Sequence, residues 1–276
     1  MIIIDFSQIA VSNLIEATDY DEKYARHVII NSLRNYITKF KEKYGPEVVV
    51  ACDSRHYWRR EIFPYYKAHR KSDRDNSKVD WVTLFRCLEI VKEELKNHFP
   101  HKVLEVDFCE GDDIIATLVR SAPYQKTIII SSDKDFAQLH VFPNIKQFSP
   151  IQKKFVKVSD PKLYLKEHII RGDKGDGVPN ILSPDDIFVT EGRQKSVMQV
   201  KLDVWLTQEP DVAFEGETLN KYKRNQNLID FEMIPKKHVD NILDIYKNKT
   251  VNTKSQFLNY MIENRLNKLI VTIGDF

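Results

Sequence analysis

Long apolar runs are missing from this chain. The longest stretches, such as MIII at the start and VVVAC at 48–52, hold four or five residues, whereas a membrane-spanning helix needs roughly 20. A transmembrane helix is therefore excluded. The opening MIIID has no basic segment ahead of an apolar one and places a carboxylate at position 5, so no secretory leader is predicted. Cysteine is scarce: Cys52, Cys87 and Cys109 are odd in number, far apart and free of any CxxC pair. That argues against a disulfide framework and a cysteine zinc site, and it fits a reducing compartment such as the cytoplasm. A surplus of one charge is also lacking. Forty-two Lys and Arg against 40 Asp and Glu leave a net +2, too little for a blanket polyanion binder. Nucleic-acid contact would require charge segregated into patches. Glycine is rare, at eight in 276 residues, and three of the eight fall in one segment, GDKGDGVPN at 172–180. No Walker A, GxGxxG or GxSxG motif occurs. The eight histidines are scattered, and His98 and His101 straddle Pro100, so no histidine metal site is predicted.

The charge is indeed segregated. Residues 55–74 carry seven Lys or Arg against two acids, and residues 146–174 carry eight against three. In the first half, strand and helix signals alternate. Residues 1–5 and 47–53 are short, β-branched and end in a carboxylate, as buried parallel strands do. Between them, residues 24–43 place Val28, Leu33, Ile37 and Phe40 near one helical face. A second helix is predicted over 81–98 on Leu84, Leu88, Val91 and Leu95. A strand at 102–107, a helix at 112–121 and a strand at 127–132 follow. This rhythm predicts an α/β fold, a parallel sheet covered by helices. Residues 144–158 alternate twice around Pro150 and predict a hairpin extending that sheet. Beyond about 160 the pattern turns helical, interrupted by the glycine-rich turn.

The chemistry lies in where the carboxylates fall. Asp5 ends the first strand and Asp53 the second. Glu110, Asp112 and Asp113 follow the third, Asp133 and Asp135 the fourth, and Asp173 and Asp176 flank the glycine turn. Ligands of an open α/β sheet bind at the carboxyl ends of its strands. A single Asp there is usually a helix cap or turn residue, but four successive strand ends need not comply with that. Carboxylates at such density stay ionised only beside cations. Clustered carboxylate oxygens suit hard divalent ions, Mg²⁺ or Mn²⁺, and a two-metal carboxylate site is standard machinery for phosphodiester hydrolysis.

Three ordered segments carry a family resemblance: EGDDIIA at 110–116, SSDKDFAQL at 131–139 and GDKGDGVPN at 172–180. Together they resemble the flap endonuclease (5′ nuclease) superfamily. IDFSQIA at 4–10, YWRR at 57–60 and NLIDF at 227–231 resemble its T-even-like bacteriophage subgroup, whose ribonuclease H activity is of the 5′ nuclease kind. The resemblance implies a PIN-like nuclease domain over 1–160 with a basic arch at about 55–80. It also implies a helix–three-turn–helix and C-terminal helical DNA-binding domain over 161–276. Two Mg²⁺ ions are implied, Mn²⁺ substituting. Asp5, Asp53, Glu110, Asp112 and Asp133 would surround the first, and Asp135, Asp173 and Asp176 the second, with Asp113 beside them. YKAHR at 66–70 resembles a signature in which Lys67 and Arg70 reach the scissile phosphate. Arg59, Arg60, Lys71 and Lys174 join them as candidate nucleic-acid contacts, and Tyr57, Trp58, Tyr65 and Tyr66 as candidate stacking surfaces.

The second glycine hairpin of that pattern is absent. SPDD at 183–186 and EGRQKS at 191–196 stand in its place, with Arg193, Lys195 and Ser196 as substitute duplex contacts. The implied activity is 5′–3′ exonuclease and flap endonuclease cleavage of RNA primers and 5′ flaps on duplex DNA during lagging-strand replication, by a monomer. A single-strand binding protein and a sliding clamp are implied partners, although neither chain end carries a clear clamp-binding peptide. Two rival readings stand beside this one. A PIN-type ribonuclease acting on single strands normally lacks the GDKGDG segment and the arch. A non-catalytic structure-specific DNA-binding protein should have lost an acid, and none is missing.

Overall fold

In the computed structural model, which describes residues 1–15, 17 and 20–276, six strands form one sheet. They are β1 (Ile2–Asp5), β2 (Val48–Cys52), β3 (Lys102–Glu105), β4 (Thr127–Ile130), β5 (Ile145–Ser149) and β6 (Lys154–Phe155). Their order is β3-β2-β1-β4-β5-β6. The first five are parallel and β6 turns back antiparallel on β5, so the predicted hairpin is present, with a second arm of two residues. β1 lies between β2 and β4, and chain order reverses beside it, which opens a crevice at the carboxyl ends of these strands.

The period of two along β1 sorts its side chains. Ile2 and Ile4 face one hydrophobic layer, and Ile3 faces the other with Met1. The first layer is covered by α1 (Phe6–Leu14), α2 (Glu22–Tyr44) and α5 (Trp81–His98). The second is covered by α6 (Gly111–Ser121). Helix starts follow acidic caps. Asp21, Asp80 and Asp160 each accept the amide three residues on, at 2.7, 3.0 and 2.9 Å, the N-cap arrangement that satisfies an otherwise free donor of the first turn.

Between β2 and α5 run two short helices, α3 (Arg59–Ile62) and α4 (Arg70–Asp75). The second half holds α7 (Pro161–Arg171), α8 (Gln199–Thr207), α9 (Pro210–Ala213) and α10 (Gly216–Ile229), then α11 (Lys236–Asn248), α12 (Lys254–Glu263) and α13 (Asn267–Ile270). A third apolar cluster joins α7, α8 and α10 to Phe63 and Tyr66. The chain then returns: α11 packs on α6, and Phe257, Met261 and Leu269 enter the first layer.

That return leaves His101 half-buried. Burial, reinforced by Lys254 and Lys41, lowers its imidazole from the ordinary 6.5 to about 4. The neutral ring is the one the fold accepts. Its contribution is complete above the unfolded value and disappears as pH falls from 6.5 towards 4. Urea unfolding should therefore show the wild type losing on the order of 2 kcal/mol more than His101→Gln between pH 7.5 and pH 5. Equal losses in the two proteins would contradict the assignment.

Candidate active site

The carboxyl ends of β1, β2 and β4 surround a cleft of about 320 Å³ lined by Asp5, Asp53, Asp112, Asp133 and Asp176, with Lys67 and Arg70 on its wall. Each acid is placed by its local backbone. Asp5 caps α1, accepting Gln8 N at 3.1 Å and Ser131 Oγ at 2.9 Å. Asp53 accepts Ser7 Oγ at 2.6 Å and Gly111 N at 2.7 Å. Asp133 accepts the Asp135 amide at 2.8 Å. Glu110 opens α6 in a reciprocal cap with Asp113. Gly172 ends α7 at φ +69°, where a Cβ would lie 2.3 Å from Val178 O, so only glycine fits this tight return. The turn then carries Asp173 and Asp176 back to the sheet, and the Asp176 amide donates to Asp173 Oδ1 at 3.1 Å.

The electrostatics divide the acids. Burial and the neighbouring Asp53 push the Asp5 carboxyl up to about 7. Burial first, then repulsion from the other acids, raises Asp112 and Asp135 well above the carboxylate range. Burial also raises Asp133 and Glu110, the latter against the pull of Lys67 and Arg59. Burial would raise Asp173 and Asp176 too, but their partners outweigh it. His168 and Lys134 hold Asp173 low, and Lys67 and Arg70 hold Asp176 low. A site with this many disfavoured carboxylates calls for cations, and the donor set, oxygens with one nearby imidazole, suits small divalent ions.

Lys67 is nearly buried, pairs with Glu110 and lies 3.4 Å from Asp176. Its backbone sits at φ +56°, a conformation uncommon for lysine, and its amide donates to Asp176 O at 2.8 Å. Arg70 bonds Asp176 Oδ1 at 2.7 Å and Gly175 O at 3.0 Å. The basic segment is thus seated on the glycine turn.

Three expectations are corrected. Arg59 is not available to nucleic acid. It is 3% exposed and forms a two-armed pair with Asp113, also bonding Glu110 Oε2 at 2.8 Å and Leu228 O at 2.8 Å. Asp113 does not face the cleft. It is fully buried, and its oxygens accept from Arg59, Trp58 Nε1 and the Glu110 amide. Trp58 and Tyr66 cannot stack on bases, because each is 2% exposed. Instead the Tyr66 hydroxyl bridges Asp176 at 2.7 Å and Glu110 at 2.9 Å. Arg60, Lys71 and Lys174 are exposed, as are Arg193, Lys195 and Ser196. The segment bearing the last three is pinned by Asn180 N to Gln194 Oε1 at 2.7 Å, Asn180 Nδ2 to Lys195 O at 2.8 Å and Lys195 N to Ser183 Oγ at 2.9 Å.

Residues that the sequence did not single out complete the site. His168 and Lys134 hold Asp173, each at 2.9 Å. Ser7, Gln8 and Ser132 line the cleft. Beside it, sharing Ser7, Asp53 and Arg70, opens a larger cavity of about 540 Å³ between α1, α4 and α5. Trp81 and Phe85 stack there with centroids 5.6 Å apart, and Arg74 lies over Phe85.

A parallel sheet gathering so many acids and two cations around one cleft defines a polyacidic phosphodiester-cleaving centre. Comparison with known proteins narrows the class. Residues 5–168 match the N-terminal resolvase-like domain of 5′–3′ exonucleases, and residues 159–276 match the C-terminal domain of T4 RNase H. The ribonuclease H of Enterobacteria phage T4 is 34% identical over 289 residues, covering 99% of this chain and 95% of that one. The exodeoxyribonuclease of Enterobacteria phage T3 is 30% identical over 120 residues, 42% of this chain and 37% of that one. In fold, the bacteriophage T5 flap endonuclease crystallised with DNA and metal ions is similar at a TM-score of 0.62 and 18% identity, covering 90% of this chain and 99% of that one. The chain belongs to the 5′–3′ exonuclease family, and its resolvase-like domain with a helical C-terminal part is a 5′ nuclease.

Proposed function

We propose that this nuclease is metal-dependent, works with two Mg²⁺ ions (Mn²⁺ substituting), and removes RNA primers and 5′ flaps from duplex DNA. The observation that carries this reading is the convergence of Asp5, Asp53, Asp112, Asp133 and Asp176 on one cleft that Lys67 and Arg70 also face. Asp5, Asp53, Glu110, Asp112 and Asp133 would hold one ion, and Asp135, Asp173 and Asp176 the other. Bound there, such ions acidify water and offset the charge of the phosphodiester. Lys67 and Arg70, already aligned by Glu110 and Asp176, would receive the scissile phosphate and balance the charge that grows on it. The stacked Trp81 and Phe85 give unpaired 5′ nucleotides a surface. Residues 1–160 would act as the nuclease unit, with the basic segment at about 55–80 as its arch. Residues 161–276 would grip duplex through Lys174, Arg193, Lys195 and Ser196, while Arg60 and Lys71 contact the strand near the cleft. A single-strand binding protein and a sliding clamp are the partners expected of such a replication nuclease, acting as a monomer.

Substrate choice tests this. A 5′-flap duplex and a primer-capped duplex should be cut much faster than single-stranded RNA of the same sequence. Preference for the free single strand would favour the ribonuclease reading. Lys67→Ala and Arg70→Ala should each slow single-turnover cleavage more than they weaken duplex binding. Arg193→Ala and Lys195→Ala should instead weaken all duplexes alike and flatten the salt dependence by up to roughly one unit of slope per lost contact. Single-turnover rates and dissociation constants at several salt concentrations separate the two pairs. If Lys67 and Arg70 lose affinity alone, they form a general phosphate-binding loop.

Divalent ions should also stabilise the fold, since they relieve repulsion among buried acids and bind only the native state. Mn²⁺ at about a hundred times its dissociation constant should add roughly 2.7 kcal/mol. An unchanged melting temperature across a Mn²⁺ titration would argue against the ion sites.

A further inference from the structure

Behind the cleft wall, α7 carries a histidine into the acids. His168 Nε2 lies 2.9 Å from Asp173 Oδ2, and Nδ1 lies 3.4 Å from Asp135 Oδ1. One donor atom from each of Asp135, His168 and Asp173 falls within 4.8 Å of the others. We propose that His168 is a nitrogen ligand of the second metal centre, which therefore binds a transition-series divalent ion such as Mn²⁺ more tightly than the Mg²⁺ that also serves there. The inference rests on the two-ion reading above and adds a ligand and an ion preference to it.

Two further observations point to an ion. Asp135 Oδ1 is buried and has no hydrogen-bond partner, although His168 Nδ1 stands near it. A buried carboxylate oxygen without a donor is costly, and a cation between these groups would satisfy it. The charge now on Asp173 is Lys134, whose side chain is 59% exposed, so it can leave for solvent when an ion arrives. His168 itself is 7% exposed and fixed on α7, with its ring edge-on to Tyr164 at 5.8 Å. Its imidazole is therefore presented to the acids with little freedom to turn away. Carboxylate oxygens alone suit Mg²⁺, whereas an imidazole nitrogen shifts preference towards the transition series.

Pulsed EPR on Mn²⁺ bound to the full chain tests this directly. The spin-echo envelope should show coupling to ¹⁴N. Labelling only histidine with ¹⁵N should convert it to the ¹⁵N pattern in the unaltered protein. His168→Gln should abolish it and weaken one Mn²⁺ site by at least about tenfold, with less effect on Mg²⁺. Mn²⁺ that binds and supports cleavage without nitrogen coupling would overturn the assignment, making His168 a hydrogen-bonding clamp and leaving the two-ion reading intact. Coupling that persists in His168→Gln would also overturn it. Failure of Mn²⁺ to bind at all would overturn both.

Discussion

Asp133→Asn is expected to reduce single-turnover cleavage by at least about a thousandfold, roughly 4 kcal/mol of transition-state stabilisation, while duplex binding is kept. Asp133 follows β4 and lines the cleft together with Asp5 and Asp176. Asparagine keeps its shape but withdraws a negative donor from the ion and one repulsive charge from the phosphate. The same change should not lower stability in the absence of metal. Burial raises the Asp133 carboxyl, so its ionised form opposes folding, and a neutral isostere removes that opposition. Loss of rate, retained affinity and an undiminished melting temperature together mark a cation-binding acid. Asp112→Asn should behave alike, since burial and Asp133 raise it too. Wild-type turnover in either variant would show the wrong acids were chosen. A large fall in metal-free stability would recast them as structural.

The second large effect concerns stability. Arg59→Met should destabilise the protein by roughly 3–5 kcal/mol, because it leaves the buried Asp113 without its main partner and takes from Glu110 one of its two cations, Lys67 remaining. Arg59 ties three places together: α3, the start of α6 and the end of α10 at Leu228. Urea unfolding measures the loss. Adding Asp113→Leu should restore part of it, since removing both members of a buried pair costs less than removing one. A loss below about 1 kcal/mol, accompanied by weaker salt-dependent DNA binding, would return Arg59 to the nucleic-acid contacts.

The strands were legible because they are short, β-branched and end in Asp5, Asp53 or acids a few residues on, so their carboxyl ends and the acids converge by topology alone. The helix over 81–98 was legible from the spacing of Leu84, Leu88, Val91 and Leu95, whereas the caps Asp21, Asp80 and Asp160 emerge from the structure. What was not legible is pairing at long range. YWRR reads as one basic, aromatic patch, yet Arg59 is buried and Arg60 exposed. The partners that decide this lie 51, 54 and 169 residues away. Asp112 and Asp113 are adjacent and chemically identical, but on a helix they point about 100° apart. One faces the cleft and the other the Arg59 pair. His168 stands alone in sequence, with no second histidine at ligand spacing to mark it. The available signal was its place on the last turn of a helix that runs straight into GDKGDG, a few residues before Asp173.

The acidic cleft is expected to cut phosphodiesters from the 5′ end with the help of divalent ions. The most direct measurement uses a 5′-labelled, primer-capped duplex under single-turnover conditions, first with Mg²⁺, then with EDTA, then with Mg²⁺ restored. Short labelled products should form with Mg²⁺, none in chelator, with full recovery on restoration. Undiminished hydrolysis in EDTA would contradict it.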